Sequence, residues 1–261
     1  MSALRILACV KRVPAPGAQI TLTADGRAID ARNLSFTTSP HEECAVEEGI
    51  RLVEAHGGDL TVLAVGPAEA EEQLRFAVSV GAQHAVLVAT DSTAAGEDPD
   101  PQATAHAITD VVRAIEADRG EFDVVLFGNE SADGGNFQIG IRVARALGRP
   151  VVNGIKAIDI GDGTVTARRE SDSGFEVYRL PLPAVIGVKE GINLPRYPTL
   201  PGRLKSKKAE LQHLTAAAPP GGLAMQRFET PPAVVTETVI LGNGAGAAAA
   251  VVDLLVELGL A

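Results

Sequence analysis

The segment richest in groups that could bind a ligand is residues 128–136, which reads GNESADGGN. An apolar run precedes it and a helical pattern follows it, as at the end of a strand in a parallel sheet. The N–H groups and dipole at the start of a helix can hold a phosphate, whereas Glu130 and Asp133 suit ribose hydroxyls better. The segment has no phosphate-loop lysine and does not match G-x-G-x-x-G. An ordinary strand-to-helix turn explains the same residues equally well.

Two other loops, residues 8–11 and 65–67, also follow apolar runs. In open parallel sheets, ligands bind at the carboxyl ends of the strands, where the strand order reverses. These loops are therefore candidates for the same kind of site. Another glycine-rich loop, residues 242–246, has no surrounding strand-helix-strand unit, so a flexible joint explains it better.

No group of residues in the sequence has the spacing of a catalytic centre. There is no G-x-S-x-G motif, and Cys9 has no histidine nearby, which favours a buried structural thiol. The adjacent carboxylates at 42–43 and 47–48 predict a solvated helix face. We therefore expect a protein without catalytic residues of its own. The five histidines are scattered without metal-ligand spacing, at His41, His56, His84, His106 and His213.

Composition narrows the possible partners and the compartment. The net charge of −10 argues against nucleic acid and against an anionic membrane surface, because both attract clustered Lys and Arg. Two cysteines, Cys9 and Cys44, are too few for a disulfide framework. The first residues lack a signal-peptide pattern, and no apolar run is long enough to span a membrane. These features predict a soluble, cytoplasmic protein.

The elements that must position the strand-end loops follow from alternating patterns. Ser39, Pro40 and Glu42 predict a helix start with an N-cap and a capping box, and this helix should end near His56. Regular alternation of strands and helices predicts the α/β class with a doubly wound, mainly parallel sheet. The predicted strands are 4–10, 60–65, 85–89 and 123–128, and the other predicted helices are 68–80, 101–117 and 138–147.

The remaining segments have different patterns. Residues 20–29 alternate around Asp25 and Gly26, which predicts a hairpin outside the main sheet. After Pro150, four short runs predict antiparallel strands added to one edge of the sheet: residues 151–160, 164–169, 176–180 and 184–188. Residues 216–233 predict an extended arm, and residues 247–260 an amphipathic helix. We divide the chain into a domain of residues 1–213 and an arm of residues 214–261. This arm could reach onto a partner subunit or fold back on its own domain.

Residues 186–208 form an unusual proline- and lysine-rich stretch. Three prolines in seven residues predict a stiff, extended loop without regular helix. Apolar side chains on such a loop favour a partner-docking element, because a preorganised loop loses little entropy on binding. The basic residues 203–208 could attract an acidic partner, or they could simply solvate the start of a helix.

Three motifs together resemble the beta subunits of electron transfer flavoproteins, and the similarity covers essentially the whole chain. The motifs are LRILACVKRVP with SPHEECAVEEGIRL, GNESADGGNFQIG, and VKEGINLPRYPTLPGRLKSKK. The resemblance implies a heterodimer in which a larger alpha subunit holds most of an FAD, while the beta subunit binds an AMP that has no redox role. It also implies an electron carrier rather than an enzyme. Electrons would come from acyl-CoA dehydrogenases and related flavoenzymes and pass to a membrane quinone oxidoreductase or another acceptor.

The same resemblance assigns site residues by position. It makes residues 188–204 the recognition loop, with Ile192 in the place of an apolar anchor that is usually Leu. The implied docking residues are Ile192, Asn193, Leu194, Pro195, Arg196, Tyr197 and Leu200. The implied AMP-binding residues are Cys9, Ser39, Pro40, His41, Glu42, Val65, Gly128, Asn129, Glu130, Ser131, Ala132, Asp133, Gly134, Gly135, Asn136, Phe137, Gln138 and Ile139.

Two alternatives remain open at this point. The chain could be the beta subunit of an electron-bifurcating flavoprotein, in which a second FAD takes the place of AMP. From a different class, it could be a stand-alone regulatory protein that binds an adenine nucleotide and forms a homodimer without flavin.

Overall fold

The computed structural model describes residues 3–90, 99–216, 222–232 and 238–261. The chain divides into two compact units, residues 1–228 and residues 229–261. In the first unit, nine strands form one sheet, and a separate ribbon pairs two short strands. The strands are β1 (Leu4–Val10), β2 (Val13–Pro14), β3 (Phe36–Thr37), β4 (Gly58–Gly66), β5 (His84–Ala89), β6 (Val124–Gly128), β7 (Val151–Gly161), β8 (Thr164–Ser171), β9 (Gly174–Pro181), β10 (Ala184–Val188) and β11 (Gln212–Leu214).

The sheet has the order β11-β5-β4-β1-β6-β10-β7-β8-β9. From β1 the chain moves outward through β4 and β5, and it then returns to β6 on the other side of β1. All pairs from β11 to β7 are parallel. The strands in the middle of the sheet are buried on both faces by aliphatic side chains, as continuous apolar runs predict.

Helices cover both faces of this sheet, which confirms the predicted doubly wound α/β class. The cluster on one face contains side chains of α1 and α2, and the cluster on the other face contains side chains of α3 and α4. α5 packs on α2. The helices are α1 (Pro40–His56), α2 (Glu71–Val80), α3 (Pro101–Arg119), α4 (Ile139–Leu147), α5 (Leu200–Lys208) and α6 (Ala248–Glu257).

The second half of the sheet corrects one prediction. Strands β7, β8 and β9 form the predicted antiparallel edge, but β10 does not belong to it. It lies between β6 and β7 and is parallel to both. All five of its residues are buried without alternation, because both faces of the strand are covered. Residues 20–29 do turn back around Gly26 outside the main sheet, although the pairing is reduced to a single bridge between Leu22 and Ile29.

The proline-rich stretch also differs from the prediction at its end. We expected no regular helix there, but α5 begins at Leu200 and includes Pro201. A proline in the first turn of a helix is tolerated, because the N–H that it lacks has no partner within the helix. Thr199 caps this helix by accepting a hydrogen bond from the N–H of Gly202. Strand β11, only three residues long, is too short to give a periodic pattern.

Part of the predicted arm lies along the first unit. The N–H of Phe228 donates to the carbonyl of Gly26 at 2.7 Å, and the N–H of Leu223 donates to Asp100 Oδ2 at 2.6 Å. Residues 217–221 and 233–237, also in the predicted arm, lie outside the described residues. The second unit contains α6, which confirms the predicted C-terminal helix. No helix among the described residues is both long and apolar enough to cross a bilayer.

Candidate functional site

The strand order reverses between β1 and β6, so the carboxyl ends of these two strands flank the topological switch point. In doubly wound folds, this is where ligands bind. The loop after β6 (residues 129–138, the switch loop) begins here, and it leads into α4. Cys9 lies beside Phe127 at the end of β1. Val65 is near the end of the neighbouring strand β4 and pairs with Val88.

The start of α1 lies against the end of β6, because Gly128 has no side chain. A Cβ at this position would be 2.6 Å from Cγ of Glu42 and 3.0 Å from its backbone nitrogen. Ser39 and Glu42 form the predicted capping box. Four of the implied site residues, Ser39, Pro40, His41 and Glu42, are therefore brought next to the switch loop.

Glu42 also joins α1 to the end of β1. Its Oε2 accepts hydrogen bonds from the N–H groups of Lys11 at 3.0 Å and Ser39 at 3.4 Å. Burial raises the pKa of Glu42 to about 8, although these two N–H groups act in the opposite direction. Burial also raises the pKa of the Cys9 thiol, and the nearby Glu42 carboxylate adds to the effect. A thiol of this kind is a poor nucleophile, in agreement with the predicted structural role.

One ion pair and one histidine–carboxylate contact hold the switch loop against its neighbours. Lys11 Nζ contacts Asp133 Oδ2 at 2.6 Å. Burial alone would raise the pKa of Asp133, but the charge of Lys11 holds it below its ordinary value. His41 Nε2 is 3.2 Å from Glu130 Oε1. The switch loop is thus tied to both β1 and α1.

The backbone of the switch loop is shaped to present N–H groups. Gly135 and Phe137 both have left-handed backbone angles, with φ of 53° and 57°. Among the described residues, the N–H groups of Asn136, Phe137 and Gln138 donate no hydrogen bond to another backbone group. The first N–H groups of α4 follow directly, and they lack partners as at any helix start. Successive backbone N–H groups of this kind form a concave site for an anion.

A second group of implied site residues lies after β10. His41 Nδ1 accepts a hydrogen bond from the N–H of Glu190 at 2.8 Å, so α1 contacts this region too. Ile192 is half-buried and packs against the core. Leu194 and Tyr197, in contrast, are 84% and 91% exposed, and Leu200 at the start of α5 is also exposed. We call residues 192–199 the docking segment.

The carboxylates of α1 correct another prediction. We expected Glu42, Glu47 and Glu48 to lie on a solvated face, but all three are buried. The pKa of Glu47 would be raised by its burial, but Arg196 and Arg51 hold it below the ordinary value. Glu48 Oε2 accepts a hydrogen bond from Asn193 Nδ2 at 2.9 Å. Arg196 and Asn193 therefore point toward their own domain. Sequence patterns did not identify Glu47 and Glu48 as contacts of the docking segment, because about 150 residues separate them from it.

Within the described part of the chain, no cluster of three or more His, Cys, Asp or Glu side chains has the geometry of a metal site. The fold places the chain in the class of doubly wound α/β domains, and the switch loop is its candidate ligand site.

Comparison with known proteins identifies the family. The protein-family model of the electron transfer flavoprotein domain matches residues 28–219 of this chain. The chain is 35% identical over 231 residues to the electron transfer flavoprotein subunit beta of Syntrophomonas wolfei, covering 88% of this chain and 87% of that protein. It is 36% identical over 176 residues to the corresponding subunit of Bacillus subtilis, covering 67% and 66% of the two chains. It is also 33% identical over 211 residues to protein FixA of Azorhizobium caulinodans, covering 80% and 74%. The chain therefore belongs to the electron transfer flavoprotein family, as a beta subunit.

Proposed function

We propose that this chain works as the beta subunit of a heterodimeric electron carrier and contributes binding surfaces rather than catalytic residues. A larger alpha subunit would hold most of an FAD, which supplies the redox chemistry when it is bound. The beta subunit would bind AMP as a structural ligand and dock the redox partners. The observation that carries this proposal is the pairing of a ligand site at the switch point with an exposed, stiff docking segment, both attached to α1.

The switch loop fits the phosphate end of a nucleotide. Its left-handed residues, Gly135 and Phe137, and the open N–H groups of residues 136–138 form a concave surface at the start of α4. Hydrogen bonds from backbone N–H groups and a helix dipole stabilise a phosphate without a lysine. Asp133 is paired with Lys11, whose positive charge offsets a negative charge that would repel a phosphate, and Glu130 contacts His41. These contacts support a nucleotide phosphate at this site.

The docking segment fits a surface that receives redox partners. Leu194 and Tyr197 are almost fully exposed on a segment whose prolines restrict the backbone. The helix that follows the docking segment, α5, carries basic side chains in an otherwise acidic chain, including Lys205, Lys207 and Lys208. An acyl-CoA dehydrogenase with an apolar pocket and an acidic rim would match this surface. The electrons would leave to a quinone oxidoreductase at the membrane or to another acceptor.

The C-terminal unit supports a role at the boundary with the alpha subunit. Helix α6 exposes Val251, Val252 and Val256 to solvent, and no residue of the helix is buried. An apolar helix surface of this kind is expected to be covered in a complex. We assign this contact to the alpha subunit.

The unpaired cysteines, Cys9 and Cys44, suit a reducing compartment. We therefore propose a cytoplasmic location.

Co-expression with a large flavin-binding subunit tests the proposal. The purified complex is denatured, and its released nucleotides are identified by mass spectrometry and counted per heterodimer. One FAD and one AMP are expected. Two FAD per heterodimer would contradict AMP binding and support the electron-bifurcating alternative. A colourless homodimer of this chain would favour the stand-alone regulatory protein.

A further inference from the structure

We propose that Arg196 is a positioning residue that holds the docking segment on α1, so that Leu194 and Tyr197 are presented to a partner before it arrives. The inference rests on the proposed function. The resemblance assigned all of these residues to partner docking, whereas we distinguish residues that position the segment from residues that contact the partner. Arg196 and Asn193 would position the segment, and the exposed apolar side chains would make contact with the partner.

The guanidinium group of Arg196 is occupied by its own domain. Nε donates to Glu47 Oε2 at 2.9 Å, and Nη2 is 3.1 Å from Glu47 Oε1. Nη1 and Nη2 also donate to the two oxygens of Glu54, at 2.7 and 3.0 Å. An arginine has five N–H donors in a fixed planar arrangement, and these two carboxylates use most of them. A partner would have to break these bonds in order to bind Arg196 directly.

The attachment of Arg196 to α1 differs from a surface ion pair, because its partner Glu47 is buried. Its side chain is only 4% exposed, and a buried carboxylate is stable only if cations or hydrogen bonds compensate for its lost hydration. Arg51, from the next turn of α1, contacts it at 2.8 Å. Arg196 also contributes its backbone N–H, at 3.3 Å from Glu47 Oε2. Both the side chain and the backbone of the docking segment are therefore fixed at this point.

Asn193 provides a second attachment three residues earlier. Its Nδ2 donates to the carbonyl of Cys44 at 3.0 Å and to Glu48 Oε2 at 2.9 Å. Leu194 lies between the two attachments, and Tyr197 directly follows Arg196. A segment fixed at both points loses little conformational entropy when a partner binds. Loss of the Arg196 attachment should therefore weaken docking without removing any contact with the partner.

The experiment compares Arg196→Ala with Arg51→Ala in the full-length chain, in complex with its large flavin-binding subunit. Both changes remove an arginine from Glu47, but only Arg196 belongs to the docking segment. Hydrogen exchange of the amides in residues 192–199 is measured in the free complex. For Arg196→Ala we expect exchange to be about tenfold faster or more, as for loss of a charge-assisted hydrogen bond. Arg51→Ala should leave it within about twofold of the parent.

Two further variants keep the inference testable. If Arg196→Ala impairs folding, Glu54→Gln weakens the attachment at an exposed carboxylate and should still accelerate exchange. Tyr197→Ala removes a proposed contact instead, so it should raise the KM for a reduced acyl-CoA dehydrogenase and leave exchange unchanged. Arg196→Ala should raise the same KM with kcat retained.

Unchanged exchange in both Arg196→Ala and Glu54→Gln would overturn the positioning role, and so would equal acceleration by Arg51→Ala. Exchange does not depend on any dehydrogenase. If no dehydrogenase reduces the parent complex, the proposed function fails, whereas the exchange result still decides whether Arg196 holds the segment.

Discussion

The Cα of Gly128 lies so close to Glu42 that a Cβ at position 128 would be 2.6 Å from Cγ of Glu42. This close approach brings the end of β6 to the start of α1 and thereby joins the switch loop to the helix that the docking segment contacts. The two proposed binding surfaces of the chain share one helix because of this contact.

Replacement of Gly128 by Ala should displace the start of α1. The added Cβ would also lie 3.0 Å from the backbone nitrogen of Glu42, which a side-chain rotation cannot relieve. We expect the free energy of unfolding to fall by about 1–3 kcal/mol, measured by urea denaturation. Gly161→Ala is the control, since nothing lies within 4 Å of a Cβ there. Equal stabilities of the two variants would contradict the importance of the contact.

Glu42 should make stability depend on pH. Its pKa rises on folding from an ordinary value of 4.5 to about 8, so the folded chain keeps a proton that the unfolded chain releases between these pH values. The free energy of unfolding should therefore fall as pH rises from about 5 to 8 and then level off. Each pKa unit corresponds to about 1.4 kcal/mol, so the free energy of unfolding of the parent should fall by a few kcal/mol more than that of Glu42→Gln. The free energy of unfolding is measured by urea denaturation at several pH values for the parent and for Glu42→Gln. If it changed with pH in the same way in both proteins, Glu42 would not titrate as described.

Replacement of Gly135 by Ala tests the nucleotide site. With φ at 53°, an Ala at this position would be strained by about 1 kcal/mol, and relaxation would turn the neighbouring N–H groups away from a phosphate. We expect the AMP content of the purified complex to fall at least severalfold with FAD retained. Gly163 has a similar φ of 71° in the β7–β8 turn, outside the switch loop, and nothing lies within 4 Å of a Cβ there, so Gly163→Ala should keep its AMP. Full AMP content in both variants would argue against a phosphate site at residues 135–138.

Removal of the exposed side chains Leu194 and Tyr197 tests the docking surface. The double variant Leu194→Ala/Tyr197→Ala should change the free energy of unfolding by no more than about 0.5 kcal/mol, because both side chains lie in solvent. The rate of electron transfer from a reduced acyl-CoA dehydrogenase should nevertheless fall about tenfold or more.

The half-buried Ile192 provides a comparison for this prediction. Ile192→Ala should slow transfer with flavin content intact, but it should also lower stability, because the side chain packs on the core. Stopped-flow reduction of the flavin measures both effects on transfer. An unchanged rate in the double variant would place the partner contact elsewhere.

Local sequence patterns determined most of the elements of the fold. Ser39, Pro40 and Glu42 predicted the start of α1 correctly, because capping groups act within one turn of the chain. The apolar run of β1 and the alternation of strands and helices after it predicted the parallel sheet, because each of these elements can be recognised from a continuous segment. The family was also accessible from sequence, since its motifs are continuous segments.

Contacts between distant residues could be decided only by the tertiary structure. The position of β10 inside the sheet depends on which neighbours it pairs with, and its apolar sequence fits either an edge or a buried strand. The burial of Glu47 and Glu48 depends on Arg196 and Asn193, which are about 150 residues away. A charged residue can be buried only where the fold brings a partner to it. The sequence by itself predicted a docking segment, and the tertiary structure decided which of its side chains contact α1 and which remain exposed to solvent.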